Sequence, residues 1–243
     1  MEFTRTKIIC TVGPATQNIK TLKKLHSEGM NVVRINMSHA DHKQAKAIIS
    51  RVNKINSELS KNTTPIGILL DTQGPEIRTG DTAMPLDLVT GDKVTLTVRD
   101  QVDVETSSIK INYKDLISSV NPGSKITVDN GLINFSVLSK DEDTLLCKVI
   151  DGGKIGSKRH VNLPGVRVNL PSITSKDLKD IQFGIKHNVD FIALSFVRSE
   201  EDLIKLREIL KDSSSTARII AKIENQEGLD NINEICKASD GVM

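Results

Sequence analysis

Short apolar runs alternate with helical patterns along most of this sequence, and this alternation limits the possible folds more than any other feature. Each run is rich in Ile, Val or Leu, as strands buried on both faces are. The order predicts parallel strands joined by crossover helices, either closed as a (β/α)₈ barrel or open as a doubly wound sheet. The runs are 7–12, 31–37, 66–70, 190–196 and 218–223.

Helix signals follow the strands. Apolar side chains at helical spacing predict helices over 17–28 and 42–59. Two more helices are predicted to begin at capping boxes, in which two side chains three positions apart bond each other's backbone N–H groups. These pairs are Thr174 with Asp177, and Ser199 with Asp202.

One long interval departs from the repeat. Within 81–169 the segments KVTLTV, SKITV, LINFSV and TLLCKV alternate apolar and polar residues between Asp, Asn and Gly turns. We predict a small antiparallel β domain inserted after the third strand, where it can act as a lid over the carboxyl ends of the strands. The barrel domain is then predicted in two parts, 1–80 and 170–243.

The last residues, ASDGVM at 238–243, resemble the beginning of a sixth strand. Because a closed barrel needs eight strands, we expect the chain to be a fragment truncated within the barrel domain.

Charge and composition argue against two classes of partner. The 33 basic and 31 acidic residues give a net charge of +2, too small to favour nucleic acid or a membrane surface. There is no Trp and one Tyr, so aromatic platforms for nucleic-acid bases are missing. No apolar stretch approaches the ~20 residues that span a bilayer. We predict a soluble, cytoplasmic protein with scattered, reduced cysteines and no nucleic-acid or membrane partner.

Polar side chains gather where three of the predicted strands end. On a strand, residues two apart share a face, so these side chains alternate with apolar ones. They are Arg34, Asn36 and Ser38 at the second run, Asp71, Thr72, Glu76 and Arg78 after the third, and Lys222 and Glu224 at the fifth.

Each cluster alone has a structural explanation. Lys222 and Glu224 could form a structural ion pair, and Arg34 could extend its charge past apolar neighbours into solvent. Asp71 and Thr72 could cap a turn. However, the carboxyl ends of parallel strands meet at one edge of a sheet, and three polar clusters at that edge favour a shared site.

The chemistry of these residues suits an anionic substrate and a hard metal ion. Arg34 can hold a phosphate or carboxylate through two hydrogen bonds, and Lys222 can stabilise an oxygen that becomes negative. Glu224 is an oxygen ligand suited to Mg²⁺, and the lack of sulfur and imidazole in the set disfavours zinc. The composition is typical of phosphoryl transfer, although neither a P-loop nor a GxGxxG motif occurs.

Two further positions allow two interpretations each. His39 could contact a nucleotide or cap the following helix, and we prefer the cap. Lys158 and Arg159 could be exposed hairpin charges or phosphate contacts.

The motifs together resemble the pyruvate kinase family over essentially all 243 residues. The resemblance implies a partial TIM (β/α)₈ barrel, incomplete at its carboxyl end, with a small inserted antiparallel β-barrel domain. It also implies phosphoryl transfer from phosphoenolpyruvate to ADP with Mg²⁺ and K⁺, in a parent enzyme that is a homotetramer. The matching segments are TKIICTVGPAT, GMNVVRINMSH, LLDTQGPEIRTG, VNLPG, ALSFVRS, IIAKIENQEG and ASDGVM.

The resemblance also implies a role for each candidate residue. Arg34 holds the substrate phosphate, Lys222 stabilises the transferring phosphoryl group and the enolate, and Glu224 binds Mg²⁺. The implied K⁺ ligands are Asn36, Ser38, Asp71 and Thr72, and the implied nucleotide contacts are Asn36, His39, Arg78 and Arg159.

The sequence departs from the family at two of its usual lysines, where Gln73 and Arg159 stand. Gln73 leaves the degree of K⁺ dependence open, although Glu76 resembles the K⁺-dependent branch. We expect the fragment alone to be inactive. Two alternatives are an aldolase- or lyase-type barrel that acts on phosphoenolpyruvate or pyruvate, and a ligand-binding or interaction fragment without activity.

Overall fold

The chain folds as two compact units. One comprises the described residues up to Pro75 together with Pro171–Met243, and the other lies within Glu76–Leu170. The predicted domain limits at 80 and 169 stay a prediction. The computed structural model describes residues 5–61, 63–99, 108–166, 168 and 170–243.

The strands and helices are numbered in chain order. The strands are β1 (Ile8–Thr11), β2 (Met30–Asn36), β3 (Gly67–Asp71), β4 (Leu86–Leu88), β5 (Lys93–Thr97), β6 (Ser108–Lys110), β7 (Lys125–Val128), β8 (Ile133–Lys140), β9 (Thr144–Asp151), β10 (Gly153–Ile155), β11 (Val161–Asn162), β12 (Phe191–Leu194), β13 (Arg218–Ala221) and β14 (Gly241–Val242). The helices are α1 (Ile19–Ser27), α2 (His42–Glu58), α3 (Leu116–Ser119), α4 (Ser175–Lys186), α5 (Glu200–Asp212), α6 (Gln226–Asp230) and α7 (Ile232–Ala238).

The first unit is a curled parallel sheet with helices, and it confirms the predicted partial barrel. Among the described residues its strands follow the order β1-β2-β3-β12-β13-β14, and every neighbouring pair is parallel. The predicted strands are all present, including the short β14 in ASDGVM. The central strand β3 is buried on both faces, as its continuous apolar run requires.

The helices of this unit form where the sequence places an apolar stripe behind a cap. In α2 the buried side chains recur at helical spacing, and Asp41 forms a capping box with Gln44. The predicted capping box of Thr174 and Asp177 is confirmed at the start of α4. The buried stripe of α2 comprises Ala45, Ile48, Ile49, Val52 and Ile55.

The second predicted capping box is wrong, although α5 begins at the predicted place. Ser199 is the N-cap residue of α5, but its side chain makes no capping bond. Its hydroxyl bonds the Glu201 carboxylate instead, which lowers the pKa of Glu201. Asp202 accepts the backbone N–H of Arg198 at 3.1 Å. Ser199 therefore bonds the carboxylate of Glu201 in place of the backbone N–H that a capping box would use.

The second unit confirms the inserted β domain. Its described strands form a curled sheet in the order β11-β7-β8-β9-β5-β6, and β4 pairs separately with β10. Most pairs are antiparallel, as predicted, but β5 and β6 are parallel. Phe135, Leu96 and Val149 are fully buried in the core of this unit. Burial of each such side chain contributes about 1.5–3 kcal/mol.

The three cysteines are free and differ in exposure. Cys236 is exposed, Cys10 is half-buried and Cys147 lies buried in strand β9. Burial raises the pKa of the Cys147 thiol to about 12. In the described part of the chain no helix is long and apolar enough to cross a membrane.

We expect alkylation to distinguish Cys236 from Cys147. At pH 8 the raised pKa keeps Cys147 as the unreactive thiol, and its burial also shields it from the reagent. Iodoacetamide labelling followed by peptide mass spectrometry should modify Cys236 in the native protein and Cys147 only after unfolding in urea. Equal labelling rates in the native protein would contradict the burial of strand β9.

Candidate active site

The strands of the first unit are aligned so that their carboxyl ends meet at one edge. Asn36 of β2 pairs with Asp71 of β3, and Asp71 pairs with Ala193 of β12. Leu194 in turn pairs with Ala221 of β13. The next residues along three of these strands therefore emerge together, and they are Thr72, Ser195 and Lys222.

Asp71 is a fully buried carboxylate that binds two cations. Its Oδ2 accepts hydrogen bonds from Nε of Arg34 at 2.7 Å and from Nη2 of the same guanidinium. Its Oδ1 lies 3.1 Å from Nζ of Lys222. The guanidinium also donates to Oγ1 of Thr11 at 2.8 Å. Because an unpaired buried carboxylate is costly, Asp71 fixes the positions of both cations.

Lys222 lies between two carboxylates and a hydroxyl. Its side chain is 12% exposed, and Nζ lies 3.2 Å from Oε1 of Glu224 as well as 3.1 Å from Oδ1 of Asp71. It also donates to Oγ of Ser195 at 2.8 Å. These three contacts match the three protons of an ammonium group. The structure therefore brings Arg34, Asp71, Lys222 and Glu224 together, as the strand ends predicted.

Glu224 is the more exposed carboxylate of this cluster. Its Oε2 accepts the backbone N–H of Phe196 at 3.1 Å, and its side chain is 33% exposed. Among the described residues there is no group of three His, Cys, Asp or Glu side chains that could hold a metal ion. One accessible carboxylate fits Mg²⁺, which commonly binds proteins through one or two carboxylates and takes its remaining ligands from water and substrate phosphate.

The residues predicted to bind K⁺ lie on adjacent strand ends. Asn36 is the register partner of Asp71, and the N–H of Met37 donates to the Asp71 carbonyl at 2.9 Å. Oδ1 of Asn36 accepts the N–H of Ser38 at 3.0 Å. The Thr72 carbonyl accepts Oγ of Ser195 at 2.7 Å. Asn36, Ser38, Asp71 and Thr72 offer oxygen atoms of amide, hydroxyl, carboxylate and carbonyl groups. Such oxygen ligands fit a hard monovalent cation.

His39 does not cap the helix that follows it. The N-cap residue of α2 is Asp41, two positions later, and His39 itself is exposed. The capping interpretation is therefore wrong, because Asp41 has the shorter side chain that reaches the N–H of Gln44 at 2.7 Å.

Arg78 and Arg159 belong to the second unit and are described within it. Arg78 donates to Oε2 of Glu76 at 2.6 Å and to the Lys158 carbonyl at 2.7 Å. Arg159 lies 3.5 Å from the Asp129 carboxylate. The backbone N–H of Thr79 also donates to the Arg159 carbonyl at 2.8 Å, so the two arginines lie on neighbouring segments. Their contact with a nucleotide stays a prediction.

Ser195 is a site residue that the sequence reasoning missed. It is buried, accepts from Lys222 and donates to the Thr72 carbonyl, while its N–H donates to Oγ1 of Thr72 at 3.1 Å. A single serine after the apolar run FIAL is indistinguishable from an ordinary strand terminus. The available signal was its position, since it follows β12 at the same edge as Thr72 and Lys222.

Known proteins match almost the whole chain. The family model described as "Pyruvate kinase, barrel domain" matches residues 3–243. The pyruvate kinase of Staphylococcus epidermidis is 45% identical over 241 residues, which are 98% of this chain and 41% of that protein. The Staphylococcus haemolyticus pyruvate kinase is 46% identical over 242 residues, and plastidial pyruvate kinase 2 of Arabidopsis thaliana is 42% identical over 239 residues. These two alignments cover the same shares, 98% of this chain and 41% of each relative.

The chain thus spans about two fifths of the length of the curated relatives that it matches. Both the family model and these relatives cover the strand ends that carry Arg34, Asp71, Lys222 and Glu224. The chain belongs to the pyruvate kinase family, as part of its barrel domain with the inserted β domain.

Proposed function

We propose that the protein transfers the phosphoryl group of phosphoenolpyruvate to ADP, giving pyruvate and ATP in the last step of glycolysis. The observation that carries the proposal is the continuous ion network from Arg34 through Asp71 and Lys222 to Glu224. In a member of this family, that network supplies two fixed cations and an accessible carboxylate at one edge of the sheet.

Arg34 and Lys222 are proposed to act on the charge that moves during the reaction. In the transfer, the bond between phosphorus and the enol oxygen breaks while phosphorus bonds an oxygen of ADP, and the enolate left behind then takes up a proton. Arg34 would hold the phosphate through its planar guanidinium. Lys222 would stabilise the negative charge on the phosphoryl group and the enolate oxygen.

Mg²⁺ and K⁺ are the proposed cofactors. Glu224 would hold Mg²⁺, and Asn36, Ser38, Asp71 and Thr72 would hold K⁺. These ions would offset the charge of phosphate oxygens. Oxygen-only ligands and the exposure of the Glu224 carboxylate support this assignment.

Four side chains are proposed to contact the nucleotide. Asn36 and His39 would contribute from the loop after β2, and Arg78 and Arg159 from the unit within Glu76–Leu170. The exposure of His39 and the 30% exposure of the Arg78 side chain support this assignment. A cytoplasmic location and a homotetramer are also proposed, from the family resemblance alone. The Arabidopsis relative is named for the plastid, so the compartment needs a direct test by cell fractionation.

The activity can be tested in a chimera in which residues 3–243 replace the matching segment of the Staphylococcus epidermidis pyruvate kinase. Pyruvate formation coupled to lactate dehydrogenase, with ATP measured separately, should depend on both phosphoenolpyruvate and ADP. A folded chimera that binds phosphoenolpyruvate without forming ATP would contradict the proposal and favour a ligand-binding role. Pyruvate formation without ADP would favour a lyase.

In the chimera, Lys222→Met should lower kcat by at least about 10²-fold, because a buried cation aimed at developing negative charge is removed. The melting temperature should fall, since the buried Asp71 loses one of its two cations, so kcat is compared at a temperature at which both proteins are folded. Lys237→Met, which alters an exposed lysine of α7, is the matched control and should retain full activity. Full activity of Lys222→Met would reject the role of Lys222.

Glu224→Gln should weaken Mg²⁺ binding by about tenfold or more, because a neutral amide replaces the charged ligand. The measurement is titration of the 243-residue chain with Mn²⁺ as an electron paramagnetic resonance probe, with phosphoenolpyruvate present. Glu234→Gln in the exposed part of α7 is the control. Unchanged Mn²⁺ affinity in Glu224→Gln would show that the ion binds elsewhere.

A further inference from the structure

The first turn of α4 contacts the loops that follow two of the site strands. Nζ of Lys176 donates to the Met37 carbonyl at 2.7 Å, directly after β2. The neighbouring Asp177 is fully buried, and its Oδ1 accepts the N–H of Gly74 at 2.9 Å, just after β3. Two consecutive residues of one helix thus hold two separate loops at the edge where the candidate site lies.

Lys176 is held in position by a buried carboxylate. Its Nζ lies 2.7 Å from Oδ2 of Asp180, one turn further along α4. The other oxygen of Asp180 lies 2.7 Å from Nε2 of His42, at the start of α2. The carboxylate of Asp180 is 4% exposed, while the Lys176 side chain is 47% exposed. The ammonium group is therefore directed at the Met37 carbonyl although its stem is in solvent.

The loop that Lys176 contacts carries three of the candidate ligands. Its internal bonds are local, with the Asn36 carbonyl accepting the N–H groups of His39 at 3.1 Å and Ala40 at 3.0 Å. Met37 connects the loop to other elements, through its N–H to Asp71 and its carbonyl to Lys176. A change in the peptide that carries this carbonyl would rotate the neighbouring Ser38.

We propose that Lys176 is a positioning residue, which sets the orientation of Asn36, Ser38 and His39 by binding the Met37 carbonyl. Lys176 touches neither substrate nor cation in this proposal and acts through the loop. The inference rests on the proposed function for its kinetic consequence, but its structural consequence is independent of that function. The simpler interpretation is that Lys176 is a solvated lysine paired with Asp180 and has no effect on the loop.

Hydrogen exchange of the 243-residue chain separates these interpretations. In Lys176→Met, exchange of the Ser38, His39 and Ala40 amides should accelerate by about tenfold relative to the unaltered chain. Exchange in the interior of α2, at Ile48 and Val52, should not change. Lys179→Met alters an exposed lysine of the same helix and should leave the loop unaffected. Equal loop exchange in both variants overturns the proposal.

Kinetics of the chimera provide the second measurement. Lys176→Met should raise the KM for ADP and the half-activating concentration of K⁺ by about threefold or more, with a smaller change in kcat. Lys176→Arg, which keeps a cationic donor, should recover most of the difference. Unchanged KM and K⁺ activation in a folded Lys176→Met protein overturn the positioning role.

Failure of the proposed function gives a different result, since the unaltered chimera would then form no ATP. In that case the hydrogen-exchange comparison still decides whether Lys176 orders the loop.

Discussion

The buried carboxylate of Asp71 is the constraint on which the site depends. A fully buried ionised group of this kind persists only when cations and hydrogen-bond donors satisfy it, and loss of such a partner typically costs about 3–5 kcal/mol. Arg34 comes from β2 and Lys222 follows β13, so the pairing also requires the parallel register of the sheet. The geometry of the site therefore depends on the order and register of the strands.

Charge balance explains why this arrangement suits a phosphate only together with added cations. Arg34 and Lys222 carry two positive charges, and Asp71 and Glu224 carry two negative ones, so the cluster is neutral overall. A phosphate ester brings further negative charge, which two cations already engaged by carboxylates offset poorly. In the proposed function, Glu224 and the oxygen groups at the same edge hold the cations that complete this balance.

The sequence predicted this part of the site because β periodicity and parallel topology are both simple rules. Residues two apart share a face, and carboxyl ends meet at one edge, which together bring Arg34, Asp71, Lys222 and Glu224 into contact. Other features depend on tertiary contacts that periodicity does not encode. Ser195 resembled a strand terminus until its contacts with Thr72 and Lys222 were seen. The Ser199 capping box failed for a local reason, because the hydroxyl bonds the carboxylate of Glu201. The parallel pairing of β5 with β6 has no local signal either.

The loops beside Asp71 show why their details could not be predicted residue by residue. Gly74 has a φ of +76°, and a Cβ there would lie 2.7 Å from Cβ of Ser195 and 2.8 Å from Cδ2 of Phe196. Phe196 itself has a φ of +56°, which is unusual for a bulky side chain. The strain at Phe196 persists only where surrounding contacts hold it, and its N–H donates to the Glu224 carboxylate. The N–H of Gly74 likewise donates to Asp177 of α4. The edge of the sheet where the charged side chains lie thus also carries tightly packed loops. The packing of these loops requires contacts from α4 as well as from the strands.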